Sequence, residues 1–149
     1  MKDSRRARIV VDAMGGDYAP GEIVKGAVLA AGENGLDITL VGSSDIIQAE
    51  LSKYDASHLP IRCVPAEDII KEGKDQALAV RSKPDASISV AAKLLKDGEA
   101  DALVSAGPTG AVVASAIRHV GMIDGIERPV IGGAIFDALP GTVVFDCGV

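Results

Sequence analysis

Ala102-Leu103-Val104-Ser105-Ala106-Gly107-Pro108-Thr109-Gly110, with the small apolar residues that follow it to Val120, decides the fold. A short apolar strand meets a turn of small residues, and the turn opens directly into a helix. That order aims unpaired backbone N–H groups, and the positive end of a helix dipole, at the space above the strand's carboxyl end. In an open parallel sheet this is where small anionic ligands are held. Glycine also serves tight turns that bind nothing, so this turn alone leaves both readings open. A similar turn near the start of the chain favours a site.

That other turn follows a β-branched run, Ala7 to Val11, which reads as a buried first strand. The strand ends in Asp12-Ala13-Met14-Gly15-Gly16-Asp17-Tyr18-Ala19-Pro20. Two adjacent glycines allow close backbone approaches that other residues resist, and Asp12 and Asp17 bracket them. Pro20 suits the first turn of a helix whose apolar face is Ile23, Val24, Ala27, Val28 and Ala31, ended by Gly32 or Gly35. A second strand at Asp37 to Val41, a helix capped by Ser43 or Ser44, and a third strand at Ile61 to Val64 complete a β-α-β-α-β order. Short connections of this kind favour a parallel sheet with right-handed crossovers.

Composition agrees with an α/β class. At 149 residues the chain is about one domain long, and 48% of it is hydrophobic. Aromatics are 3%, with no Trp, while Gly numbers 17; a core of Val, Ile, Leu and Ala suits close helix–sheet packing. We therefore expect one domain over residues 1–149: three layers, a mainly parallel sheet, and helices on both faces. A formal charge of −6 argues against non-specific nucleic-acid binding. Cys63 and Cys147 lie apart in apolar runs, outside any Cys/His cluster, and read as buried free thiols rather than zinc ligands. The apolar run after the basic start is too short for a signal peptide, and no segment is long enough to span a bilayer. The expectation is a cytoplasmic chain.

The stretch from Glu67 to Pro84 breaks the alternation. It is dense in charge and without clear periodicity, apart from a short helix expected near Gln76 to Val80. Such a loop is either a solvated surface or a functional segment. Arg81 and Lys83 are its candidates, because they precede a helix start at Pro84-Asp85. That helix carries Ile88, Ala91, Ala92 and Leu95 and closes at Gly98. His119, near the end of the helix after Gly110, reads as a surface or helix-terminal charge rather than a catalyst. Strands are expected again at Val130 to Phe136 and at Thr142 to Phe145, before Asp146-Cys147-Gly148-Val149.

Together Asp12-Ala13-Met14-Gly15-Gly16-Asp17 with Ala19-Pro20, Ser105-Ala106-Gly107-x-Thr109-Gly110-Ala111, and Gly125-Ile126-Glu127-Arg128-Pro129 resemble the bacterial phosphate acyltransferase family, PlsX. The likeness runs over essentially the whole chain but over only the amino-terminal half, or slightly less, of the family's usual length. It implies a fold like that of the isocitrate and isopropylmalate dehydrogenases. It implies synthesis of acyl phosphate from acylated acyl carrier protein and inorganic phosphate, for phospholipid synthesis, with no cofactor or metal. It also implies a homodimer with peripheral membrane association.

Such a reaction brings phosphate to a thioester carbonyl while N–H groups and cations hold the charge. On this reading Gly107, Thr109 and Gly110 lie at the phosphate or the developing oxyanion, and Arg81 and Lys83 supply positive charge. Asp12 and Asp17 position the turn or accept hydrogen bonds, and Asp12 equally fits a purely structural turn role. Gly15, Gly16, Ser105, Arg128 and Asp146 complete the substrate-binding candidates. One residue departs from the motif: the family reads Ser-Ala-Gly-Asn-Thr-Gly, and this chain has Pro108. Proline is tolerated at a first helical position but removes a donor and a polar side chain. The competing reading is a non-catalytic anion- or protein-binding module of the same fold. A dinucleotide-binding domain fits poorly, because the first turn lacks Gly-x-Gly-x-x-Gly.

Overall fold

A computed structural model describes residues 6–129, 131–135 and 143–145. Four strands, β1 (Arg8–Asp12), β2 (Asp37–Gly42), β3 (Ile61–Pro65) and β4 (Ala102–Val104), form one parallel sheet in the order β3-β2-β1-β4. The expected parallel α/β architecture is therefore present, with β1 central and β4 beside it. The register pairs Val10 with Thr39 on one side and with Leu103 on the other. Side chains alternate across the sheet, as the pleat requires. Val11, Ile38 and Leu40 pack on α1 (Gly21–Asn34) and α2 (Ser44–Leu51) through Val24, Ala27, Ala31 and Ile47. Val10 and Val41 pack on the opposite face against Ala91 of α4 (Ser87–Lys96). Buried Thr39 is satisfied by Arg62, whose Nε donates to Thr39 Oγ1 at 2.7 Å.

A third cluster joins the two halves of the chain. Val80 of α3 (Gln76–Ser82), Ile88 of α4 and Ala111 of α5 (Thr109–Ser115) close over Ile70. The short helix expected in the charged stretch is α3, and Asp75 caps it by accepting from Leu78 N at 2.8 Å. Gly35 and Gly98 end α1 and α4 with positive φ. Ser43 stands at the N-cap of α2 without a side-chain bond.

Three boundaries differ from expectation, each for a local reason. α4 begins at Ser87 rather than Pro84, because Ser87 N donates to Asp68 O and Asp68 N to Asp85 O, holding that backbone extended. Pro108 is the N-cap of α5, with ψ of 125°, and Thr109 is the first helical residue. The helix loosens at Ala116–Val120 into a π-helical segment, closed by Gly121 N donating to Ala116 O. Beyond it β5 (Gly132–Ile135) and β6 (Val143–Phe145) pair antiparallel in a two-stranded ribbon. Asp146 and Cys147 lie outside the described residues.

Candidate functional site

Because β1 and β4 are neighbours, the turns at their carboxyl ends meet. They interlock through glycine. A Cβ on Gly15 would lie 2.5 Å from Asp12 Oδ2 and 2.9 Å from Gly107 N. On Gly107 it would lie 3.2 Å from Ser105 Oγ and 3.4 Å from Gly15 Cα. Any side chain at Gly15 forces the two backbones apart, so this contact requires glycine rather than merely tolerating it. Gly16 adds a φ of +117°, over Ala106.

Asp12 ties the pair together. It is 3% exposed. Ser105 Oγ donates to its Oδ2 at 2.8 Å, Met14 N donates to its Oδ1 at 3.2 Å, and Gly107 N donates to Ser105 Oγ at 3.1 Å. A buried carboxylate must be satisfied this way, and here its acceptors shape both turns at once. Asp12 accepts hydrogen bonds as expected. The Gly107 N–H, expected to face an anion, is engaged by Ser105.

A cleft of about 480 Å³ opens in front of the interlock, lined by Met14, Gly16, Asp17, Ala106, Gly107 and Pro108 on one wall and by Ile69 to Glu72 on the other. Among the described residues the N–H groups of Gly16, Asp17 and Ala106 have no acceptor. Thr109 and Gly110 lie past Pro108, in a neighbouring cleft of about 540 Å³ with Lys74, Asp75 and Gln76. The structure thus brings Asp12, Gly15, Gly16, Asp17, Ser105 and Gly107 together and sets Thr109 and Gly110 to one side.

The candidate cations stand elsewhere. Arg81 is exposed in the last turn of α3 and lines neither cleft. Lys83 Nζ donates to Ile69 O at 3.1 Å and sits 3.4 Å from Asp68 Oδ1, so it holds the cleft's far wall from behind. Arg128 is exposed after the π-helical segment, away from both clefts. The cation that does line the cleft is Lys71, which sequence reasoning passed over. Its only signal was its place in the charged stretch after the third strand, where neighbouring Lys, Asp and Glu carry no periodicity to rank them.

Among the described residues three titratable groups away from the cleft are perturbed, the first being Arg8, raised by the hydrogen bond it donates to Asp101. Burial lowers the His119 pKa from its ordinary 6.5, helped by Lys93 and Arg118, so the imidazole shifts toward the neutral form. Burial raises the Cys63 thiol, against the bond from Gln48 Nε2 to its Sγ at 3.4 Å; it is half-buried and free. Among the described residues no group of three or more His, Cys, Asp or Glu could hold a metal ion. No helix among them is long and apolar enough to cross a membrane.

Comparison with known proteins adds to this geometry. The family described as "Fatty acid synthesis protein" matches residues 7–149. A phosphate acyltransferase of Synechococcus elongatus is 51% identical over 145 residues, covering 96% of this chain and 41% of its own length. Those of Pelotomaculum thermopropionicum and Thermosynechococcus vestitus are 48% and 47% identical, covering 95% and 99% of this chain and 41% and 43% of their own. The chain spans about two fifths of the length of these relatives.

Proposed function

Since the chain belongs to the fatty acid synthesis protein family, we propose that it is the amino-terminal part of a phosphate acyltransferase, and that the interlocked turns form one wall of its active site. The observation that carries this is identity near one half to phosphate acyltransferases over 96% of the chain. In the reaction a phosphate oxygen attacks the thioester carbonyl of acylated acyl carrier protein, and the carbonyl electrons move onto oxygen. Collapse expels the thiolate and leaves acyl phosphate. The wall's share is electrostatic: N–H groups held rigidly by Asp12 and the paired glycines face the charge that phosphate brings and the oxyanion develops. Phosphate lies by Gly16, Asp17 and Ala106, with Lys71 as the nearby cation. Asp17 lies on the same wall, and its exposure leaves it free to accept a proton or a hydrogen bond.

The parallel sheet with helices on both faces supports placing the fold with the isocitrate and isopropylmalate dehydrogenases. Cytoplasmic location, a homodimer and peripheral membrane contact belong to the same proposal. One observation favours the second reading, a binding module without catalysis: Pro108 removes from the turn the donor and polar side chain that the family motif carries. The experiment incubates the purified chain with acylated acyl carrier protein and phosphate, alone and mixed with the carboxyl-terminal part of a full-length relative. Acyl phosphate is followed by ³¹P NMR. Product on mixing supports the proposal; its absence in both samples, with an active relative as control, supports the binding module.

A further inference from the structure

Donors without an acceptor and an acceptor without a donor meet where α3 passes α5. Pro108, at the N-cap, offers no side-chain acceptor, and its carbonyl accepts from Ala111 N and Val112 N. Among the described residues the Thr109 and Gly110 N–H groups have no acceptor. Gln76 faces them from the first turn of α3. Its Nε2 donates to Lys71 O at 3.2 Å and to Gly73 O at 3.1 Å. Those two carbonyls decide which way round the carboxamide lies, because only its nitrogen can donate to them. The Oε1 atom then points elsewhere, and it is buried with no hydrogen-bond partner. The two elements touch at Gly110, where a Cβ would lie 3.1 Å from Gln76 Cγ and 3.2 Å from its Cβ.

We infer that Gln76 is the positioning residue of the β4–α5 turn, supplying from α3 the carboxamide oxygen that position 108 lacks in this chain. An Asn at the N-cap presents its oxygen to the N–H groups two or three residues into the helix, here Gly110 and Ala111. Proline cannot. Gln76 Oε1 is an equivalent: the same chemical group, on the neighbouring helix, along the same cleft as Pro108, Thr109 and Gly110. In this structure Oε1 and the two N–H groups are each without a partner among the described residues, and the inference is that they pair in solution. Through Nε2 the same side chain holds the Lys71–Gly73 loop, so one residue links the turn to the loop that carries the cleft's lysine. The consequence for phosphate rests on the site proposed above; the capping itself does not.

The test follows hydrogen exchange of the Thr109 and Gly110 amides by NMR in the native chain, Gln76→Met, Pro108→Asn and the double variant. Methionine fills the same space but loses both the acceptor and the Nε2 donor that holds the Lys71–Gly73 loop, so the double variant with Asn at 108 is what separates capping from loop release. Capping predicts exchange roughly fivefold to tenfold faster at those two amides in Gln76→Met, the range expected for one net hydrogen bond. Pro108→Asn, which brings its own acceptor, makes the Met substitution nearly silent. Unchanged exchange in Gln76→Met, or an undiminished effect with Asn at 108, overturns the inference. Inorganic phosphate titrated into the same samples reports separately: no shift at Gly16, Asp17 or Ala106 rejects the phosphate placement and leaves the exchange result standing.

Discussion

Asp12 is the residue on which the site depends, and its neighbours say what its loss does. Asp12→Ala leaves the Ser105 O–H and the Met14 N–H without an acceptor inside the protein, while Ser105 Oγ still accepts from Gly107 N. A destabilisation of about 2–6 kcal/mol is expected, from about 1–3 for each of the two orphaned donors. Asp12→Asn, which keeps two bonding atoms, loses less, and urea unfolding of the two variants measures the difference. Gly15→Ala strains the contact with Gly107 instead, by about 1–3 kcal/mol. His119 gives a pH signature with a definite sign. Its folded pKa lies below the unfolded 6.5, so the unfolded chain binds more protons as pH falls through that value. Stability is fully present above pH 6.5 and declines below it, and His119→Gln flattens that slope in denaturation curves between pH 7 and 5. An unaltered slope assigns the effect to another group. The sequence marked Asp12 and both glycines because they sit at strand ends. It could not separate turn-shaping from catalysis, since that needs the Ser105 partner.

Among the elements, the β4–α5 turn is where sequence and structure part most usefully. The strand-turn-helix order was readable from residues 102 to 120, because apolar strand, small turn and helical run each have their own period. The switch to a π-helical segment at Ala116 was not, since nothing in Ala-Ile-Arg-His-Val distinguishes four-residue from five-residue hydrogen bonding. Nor was Pro108 legible as an N-cap, one position outside the helix. That placement sharpens a prediction: Pro108→Asn gains a capping acceptor and raises stability by up to about 1 kcal/mol, seen as a higher urea midpoint. A lower midpoint means that proline's fixed φ matters more to this turn than a cap. The charged stretch was rightly set apart as irregular. Which of its cations reaches the cleft depended on the path of the loop before α3, and Lys71 in that loop, not Arg81 on α3, lines it.

For the whole molecule, the parallel sheet was legible because β-α-β-α-β with short connections admits few arrangements. The neighbour chosen by β1 on its far side was not, since β4 lies most of the chain away. Apolar surface remains after the fold is built. Val104 on the outer strand is 54% exposed, and Ile123 and Ile126 beyond the π-helical segment are 79% and 50% exposed. Among the described residues β4 has β1 alone as its partner. Open edges with apolar side chains recruit other chains. The 149-residue chain is therefore expected to self-associate with rising concentration in sedimentation velocity, and Val104→Lys with Ile123→Lys to suppress this. A monomer at every concentration would show that the surface is harmless. β6, by contrast, is paired with β5.

The bond between Ser105 and Asp12 joins residues 93 apart. Contacts that close so long a loop form late, after local pairings such as β1 with β2 have been made. A growing or half-folded chain thus has its first glycine turn but no partner to set it. The cleft is a product of completed folding rather than a feature present from the first hairpin-scale structures onward. In kinetic terms, Ser105→Ala should speed unfolding while leaving the refolding rate nearly unchanged, a φ-value near zero in stopped-flow measurements. A refolding rate that falls in step with stability would place the two turns together in the folding nucleus.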